Sequence, residues 1–157
     1  MKVKYFSFGA TSAVITGLAV IVGFSGTANA KISIISALLL IAIADNISDS
    51  FGIHVHEECQ SKSIKENRRT TYTNFLTRIL VVAVFVIFVL SLPSTLAIAL
   101  SITFGLLVIT WMSYAIAKQQ KAKTYRVIFH HVLLTVVVMT ASFILKEVVS
   151  GGIQRFL

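Results

Sequence analysis

Cysteine occurs once in this chain of 157 residues, at Cys59, so no intrachain disulfide can hold it together. Proline also occurs once, at Pro93, inside an uncharged hairpin over residues 91–95. Charge is scarce at 13% of residues, and only six of them are acidic. No internal repeat or low-complexity tract stands out, and no stretch is left over for a separate soluble domain. What fills the chain instead is apolar. Hydrophobic residues make up 56% and the mean hydropathy is +0.87, far from an ordinary soluble domain. Apolar runs of about 18–24 residues recur, each long enough to cross a hydrocarbon core of roughly 30 Å. The fold class is therefore expected to be an all-α integral membrane protein, with five transmembrane helices in one domain spanning residues 1–157. The helices are placed at residues 6–24, 32–55, 75–92, 95–117 and 127–145.

The formal charge of +8 points to topology and not to nucleic acid, because the basic residues gather in loops. On the side of the N-terminus stand Lys2, Lys4, Lys62, Lys65, Arg68, Arg69, Arg78, Lys118, Lys121, Lys123 and Arg126. The other side has only Lys31, Lys146 and Arg155. That bias predicts a cytoplasmic N-terminus and a C-terminus outside. Arg78, near the start of the third segment, is expected to snorkel to the interface. His130 and His131 open the fifth segment and read as interfacial. Trp111 and Tyr114 fit an interfacial aromatic belt. The first segment has a rival reading as a secretory signal peptide, with Lys2 and Lys4 before an apolar region and Ala28-Asn29-Ala30 as cleavage site.

The chemistry concentrates in the second segment. Ala44-Asp45-Asn46-Ile47-Ser48-Asp49-Ser50-Phe51-Gly52-Ile53-His54-Val55-His56-Glu57-Glu58 holds four of the six acidic residues and two of the four histidines. Ionisable groups within a membrane helix are functional-site hypotheses by default. Asp45 and Asp49 are four apart, and Gly52 and His56 continue the same face. Asn46, Ser50 and His54 make an adjacent stripe. Carboxylate, hydroxyl and imidazole together suit a divalent transition ion such as Mn²⁺ or Fe²⁺. Two carboxylates close together in low dielectric also favour proton exchange. The plain alternative is that Asp45 and Asp49 only bond neighbouring helices, and that His54, His56, Glu57 and Glu58 form a solvated helix end.

Two stretches carry a resemblance. Phe8-Gly9-Ala10-Thr11-Ser12-Ala13-Val14-Ile15-Thr16-Gly17-Leu18-Ala19 resembles the first-helix signature of the vacuolar iron transporter family, roughly Phe-Gly-x-Asn-Asp-Gly-Leu-x-Thr. Ala44-Asp45-Asn46-Ile47-Ser48-Asp49-Ser50-Phe51-Gly52 resembles its second-helix signature, roughly Ala-Asp-Ala-x-Ser-Met-x-x-Gly-Glu-Tyr. The spacing between the two stretches and the five spans agree in outline; the specific likeness is confined to the first two helices. Asp45, Ser48 and Gly52 match. Ser12 stands where the family has an aspartate, Asp49 where it has a methionine, and Ile53-His54 where it has Glu-Tyr. The metal-capturing helical insert of some members is absent.

The resemblance implies a retained first helix and a homodimer of five-helix subunits whose first two helices line a metal path. It implies a transporter, not an enzyme, that exports Fe²⁺ or Mn²⁺ from the cytoplasm in exchange for protons. The ion is then substrate, and no resident cofactor is expected. Asp45 and Asp49 would be the central ligands, Ser12 and Ser48 supporting oxygens, and His54, His56, Glu57 and Glu58 a cluster at the cytoplasmic mouth. The expected partners are metal ion, protons, the lipid bilayer and a second copy of the chain. The membrane would be the plasma (inner) membrane in a prokaryote and a vacuolar-type membrane in a eukaryote. Two other classes stand beside this one. A non-transporting structural or regulatory membrane subunit would keep the fold, and an intramembrane hydrolase would use the paired aspartates, although both lie on one helix.

Overall fold

A computed structural model describes residues 7–59 and 64–153. Phe6, Lys2, Lys4, Lys62 and Arg155 lie outside the described residues. Every regular element in the described chain is helical: α1 (Ser7–Phe24), α2 (Ala30–Cys59), α3 (Ile64–Ser91), α4 (Ser94–Gln120) and α5 (Thr124–Ile153). All five are long and apolar enough to cross a membrane. That architecture is compatible with a multi-pass integral membrane protein.

The helices outrun their apolar cores. α3 starts at Ile64, eleven residues before the expected position 75, and the expected loop over residues 57–74 is largely helix. The cause is that Asn67, Thr70 and Asn74 are polar yet buried, at 4%, 7% and 1% exposure. Asn67 bonds α2 and Asn74 packs against Gly9 of α1, so these residues turn into the bundle and hydropathy hides them. α5 continues through Lys146, Glu147 and Gly151 to Ile153, where a short tail was expected. Glycine near a helix end lowers helix stability by only about 1 kcal/mol and does not force a stop. α4 ends by a different device. Lys121 takes a left-handed φ of 52°, and the N–H groups of Lys121 and Ala122 return to Lys118 O and Ala117 O. This is the paired bonding that closes a helix without glycine.

α1 is the hub and packs against all four other helices. Its inward face of Ala13, Val14, Leu18 and Ile21 meets Leu38 of α2, Val82, Phe85 and Val89 of α3, and Ile109 of α4. Gly17 lets α3 close in, since a Cβ there would lie 2.7 Å from the Phe85 ring. Phe104 of α4 then packs edge-on against Phe85 and Phe88 at 5.7 and 5.8 Å. Small residues permitting such approach are how helices associate when lipid supplies no hydrophobic drive. The bundle's exterior agrees with an apolar surrounding. Leu40, Ile43, Phe51, Leu107, Phe129 and Leu145 are exposed, while Arg78, Asn46, Asn74, Ser101 and Thr135 are buried.

α2 is interrupted by one π-turn, Ile41–Asp45. The row Ile34, Leu38, Ala42, Asn46 and Ser50 faces inward, although every-fourth residues drift by about 40° per step around an ideal α-helix. The wider turn takes up part of that drift, so one face meets α3 along its length. Such turns recur at functional positions, and this one ends on Asp45.

A test of the packing is Gly17→Val, which drives a branched side chain into Phe85. It is expected to destabilise the bundle by about 1–3 kcal/mol, seen as a lower thermal midpoint in detergent, whereas Gly52→Val, with nothing within 4 Å, should leave the midpoint nearly unchanged.

Candidate functional site

The site forms where the polar half of α2 faces the first half of α3, with α1 alongside. Arg78 is its centre. Its side chain is 1% exposed, and its guanidinium bridges two carboxylates, Nη1 donating to Asp49 Oδ2 and Nη2 to Asp45 Oδ2. The expectation that Arg78 snorkels to an interface is thereby corrected. Because α3 begins at Ile64, Arg78 lies fourteen residues inside the helix, roughly 21 Å from its start. That depth brings it level with Asp45 and Asp49. A buried cation needs a paired anion, since desolvating it alone is very costly.

Ser12 of α1 joins the triad by donating from Oγ to Asp49 Oδ2 at 3.3 Å. α1 and α2 therefore meet at Ser12 and Asp49. Asp45 and Asp49 keep 41% and 29% of their side-chain surface. Ser48 is exposed but lines the same cleft as Asp49.

Toward the end of α2 the polar contacts continue. His54 is tied to α3, its Nδ1 lying 3.1 Å from Asn67 Oδ1 while Asn67 Nδ2 donates to His54 O at 3.3 Å. On its other side Nε2 of His54 lies 3.2 Å from Glu58 Oε1. Asn46 Nδ2 donates to the Phe75 carbonyl at 3.1 Å. A cleft of about 460 Å³ opens beside these residues, lined by Phe8, Asp49, His56, Glu57, Thr70 and Asn74 among others. Asn74 is nine-tenths buried and more, and neither its Oδ1 nor its Nδ2 has a partner among the described residues. Arg78 Nε and Ser50 Oγ likewise have none. Asn74 fits here because α1 offers a glycine. A Cβ on Gly9 would lie 2.6 Å from Asn74 Oδ1.

The predicted residues thus divide into two groups. Asp45, Asp49 and Ser12 converge on Arg78. His56 and Glu57 line the cleft with Ser48 and Asp49, while His54 pairs with both Glu58 and Asn67. Among the described residues no three histidine, cysteine or carboxylate side chains converge closely enough to hold a metal ion. What the sequence reading missed is Arg78, Asn67, Thr70 and Asn74. A signal was present, because these four are spaced three or four apart and form one face of a helix, but the apolar run after Phe75 drew the helix start too late. Away from the site, His131 is turned inward, its Nδ1 2.8 Å from the buried Ser113 Oγ. His130 is exposed.

Fold and site together define, among the described residues, an all-helical chain of five membrane-length helices in which a buried arginine of α3 meets two half-buried carboxylates of α2. Comparison with protein-family models, with curated proteins and with solved structures finds no match.

The triad should behave as one unit. Asp49→Asn and Arg78→Gln are each expected to lower stability, by up to about 3 kcal/mol, because each leaves charge unbalanced in low dielectric. The double variant should lose less than the sum of the two, with a coupling of about 0.5–3 kcal/mol, read from thermal unfolding in one detergent.

Proposed function

We propose that this chain is a small transporter of divalent cations, with Fe²⁺ or Mn²⁺ as substrate leaving the cytoplasm in exchange for protons. The observation that carries this reading is the pair of carboxylates, Asp45 and Asp49, set within the apolar length of α2 and adjoining a cleft that reaches the helix end. Carboxylates at such depth are expensive and are kept where an ion or proton passes. Ser12 and Ser48 add oxygens, and His56 and Glu57 on the cleft wall would receive the ion. Hard oxygen ligands with imidazole suit Mn²⁺ and Fe²⁺. The resemblance of the first two helices to the vacuolar iron transporters points the same way.

The orientation follows from charge. With Arg78 assigned to the interior, Lys65, Arg68, Arg69, Lys118, Lys121, Lys123 and Arg126 still stand at one end of the bundle, which we take as cytoplasmic. The cleft opens at that end. Asp45 retains 41% side-chain exposure in a single subunit, and a carboxylate facing lipid is unfavourable. A second copy packed on α2 would cover it, which supports the homodimer.

A non-transporting membrane subunit is the second reading, favoured by one observation. Arg78 already satisfies both carboxylates, as a purely structural ion pair would.

Proteoliposomes under a pH gradient discriminate the two. Mn²⁺ and Fe²⁺ flux in the wild type, lost in Asp45→Ala and Asp49→Ala, is expected; no flux for any divalent ion from folded protein would leave the subunit reading. For the dimer, Ser48→Cys, exposed on the same side of α2 as Asp45, in a Cys59→Ser background should cross-link between subunits in membranes, whereas Leu107→Cys on exposed α4 should not.

A further inference from the structure

We infer that Arg78 is the resident cation of the carboxylate pair, that the transported ion must displace it, and that the guanidinium then moves one turn toward Asn74. The inference rests on the transport reading and deepens it, by assigning what fills the site between substrates.

Occupancy is the first ground. Nη1 and Nη2 of one guanidinium take Asp49 Oδ2 and Asp45 Oδ2, the oxygens a divalent ion would use. A dication and a guanidinium within about 4 Å of each other repel strongly in low dielectric, so the two cannot hold the pair together. An arginine cannot step aside by losing its proton, as a lysine or histidine could. It must move.

A destination exists. Asn74 precedes Arg78 by four residues on α3, and helical side chains lean toward the N-terminus over that neighbour. Asn74 is 1% exposed, and its carboxamide lacks partners on both atoms among the described residues. An unfilled buried carboxamide is unfavourable by itself, and its oxygen accepts guanidinium N–H groups. Behind it lies the cleft of about 460 Å³ with Glu57 on its wall, so a displaced guanidinium would keep a carboxylate near. Arg78 Nε has no partner among the described residues in the present position, so the triad leaves that N–H unsatisfied.

The exchange also balances charge. With both carboxylates ionised, the resting triad carries a net charge of −1. A divalent ion on the pair neutralises both carboxylates while Arg78 sits beside Asn74 and Glu57. Without Arg78 the empty pair would stay bare within the span until protons reached both carboxylates, so release of the last ion, and with it the exchange cycle, would slow.

The test uses the full-length protein in lipid nanodiscs, with Mn²⁺ as probe and the electron paramagnetic resonance signal of free Mn²⁺ as the binding readout. Arg78→Gln is expected to bind Mn²⁺ at least about tenfold more tightly than the wild type, because a like charge has left the site, yet to lose exchange flux in vesicles. Arg78→Lys, which keeps a cation, should lie between the two. Folded Arg78→Gln protein that binds Mn²⁺ no more tightly than the wild type overturns the inference. If Arg78→Gln does not fold, phenylglyoxal labelling of the wild type decides. Mn²⁺ should raise modification of Arg78, read by peptide mass spectrometry, and unchanged labelling overturns the displacement. Wild-type flux with unchanged Arg78→Gln affinity sinks this inference alone, whereas neither flux nor binding in any variant sinks the transport reading with it.

Discussion

A guanidinium with almost no exposed surface, clasped by two carboxylates of the neighbouring helix, sets the register of α2 against α3. Slide either helix by one turn, and a charged group faces lipid or apolar side chains without a partner, a penalty of several kcal/mol. The contacts on either side follow the same register. Asn46 reaches the Phe75 carbonyl just before Arg78 in the chain, and Asn67 grips His54 further out. Each joins α2 to α3, and Asn67 does so where hydropathy alone would leave a loop. The polar face of α3 therefore accounts for its early start, and the triad for where the site lies.

Apolar packing supplies the frame but not this specificity. α1 sits at the centre because its small and branched residues let four helices approach it, Gly17 admitting Phe85 and Gly9 admitting Asn74. Dispersion among Val14, Leu18, Phe85 and Ile109 holds the bundle together, yet many registers would bury similar groups. The polar contacts select among them, as buried polar groups do when every alternative leaves them unsatisfied. The π-turn at Ile41–Asp45 fits this division. Above it α2 presents Ile34 and Leu38, below it Asn46 and Ser50, and the wider turn lets both halves face α3.

Much of this was legible from residue order. Five spans follow from apolar runs of membrane length, and the Asp45–Asp49 face follows from helical periodicity. The approach of α1 to that face, seen in Ser12 and Asp49, is a tertiary contact between residues 37 apart in the chain. Less legible were the ends. Asn67, Thr70 and Asn74 look like loop residues to any hydropathy scale, and Gly151 looks like a terminator. Only their burial or their place on a continuing helix shows otherwise. Arg78 is the sharpest case, since a lone arginine near the edge of an apolar run has two sound physical solutions. It can reach for water along its stem, or it can turn inward to a carboxylate.

By itself the sequence determined what is local or periodic. Helix number, the polar face of α2, the hairpin at Pro93 and the scarcity of acidic partners are all functions of residue type and spacing along one chain. Tertiary structure alone decided which charges meet. Asp45 and Asp49 are separated from Arg78 by 33 and 29 residues, a distance over which periodicity carries no information. Their encounter depends on where α3 begins and how it registers on α2. Those two facts are set by the burial of polar side chains on α3, Asn67 and Asn74 as well as Arg78, and burial exists only once the helices have packed.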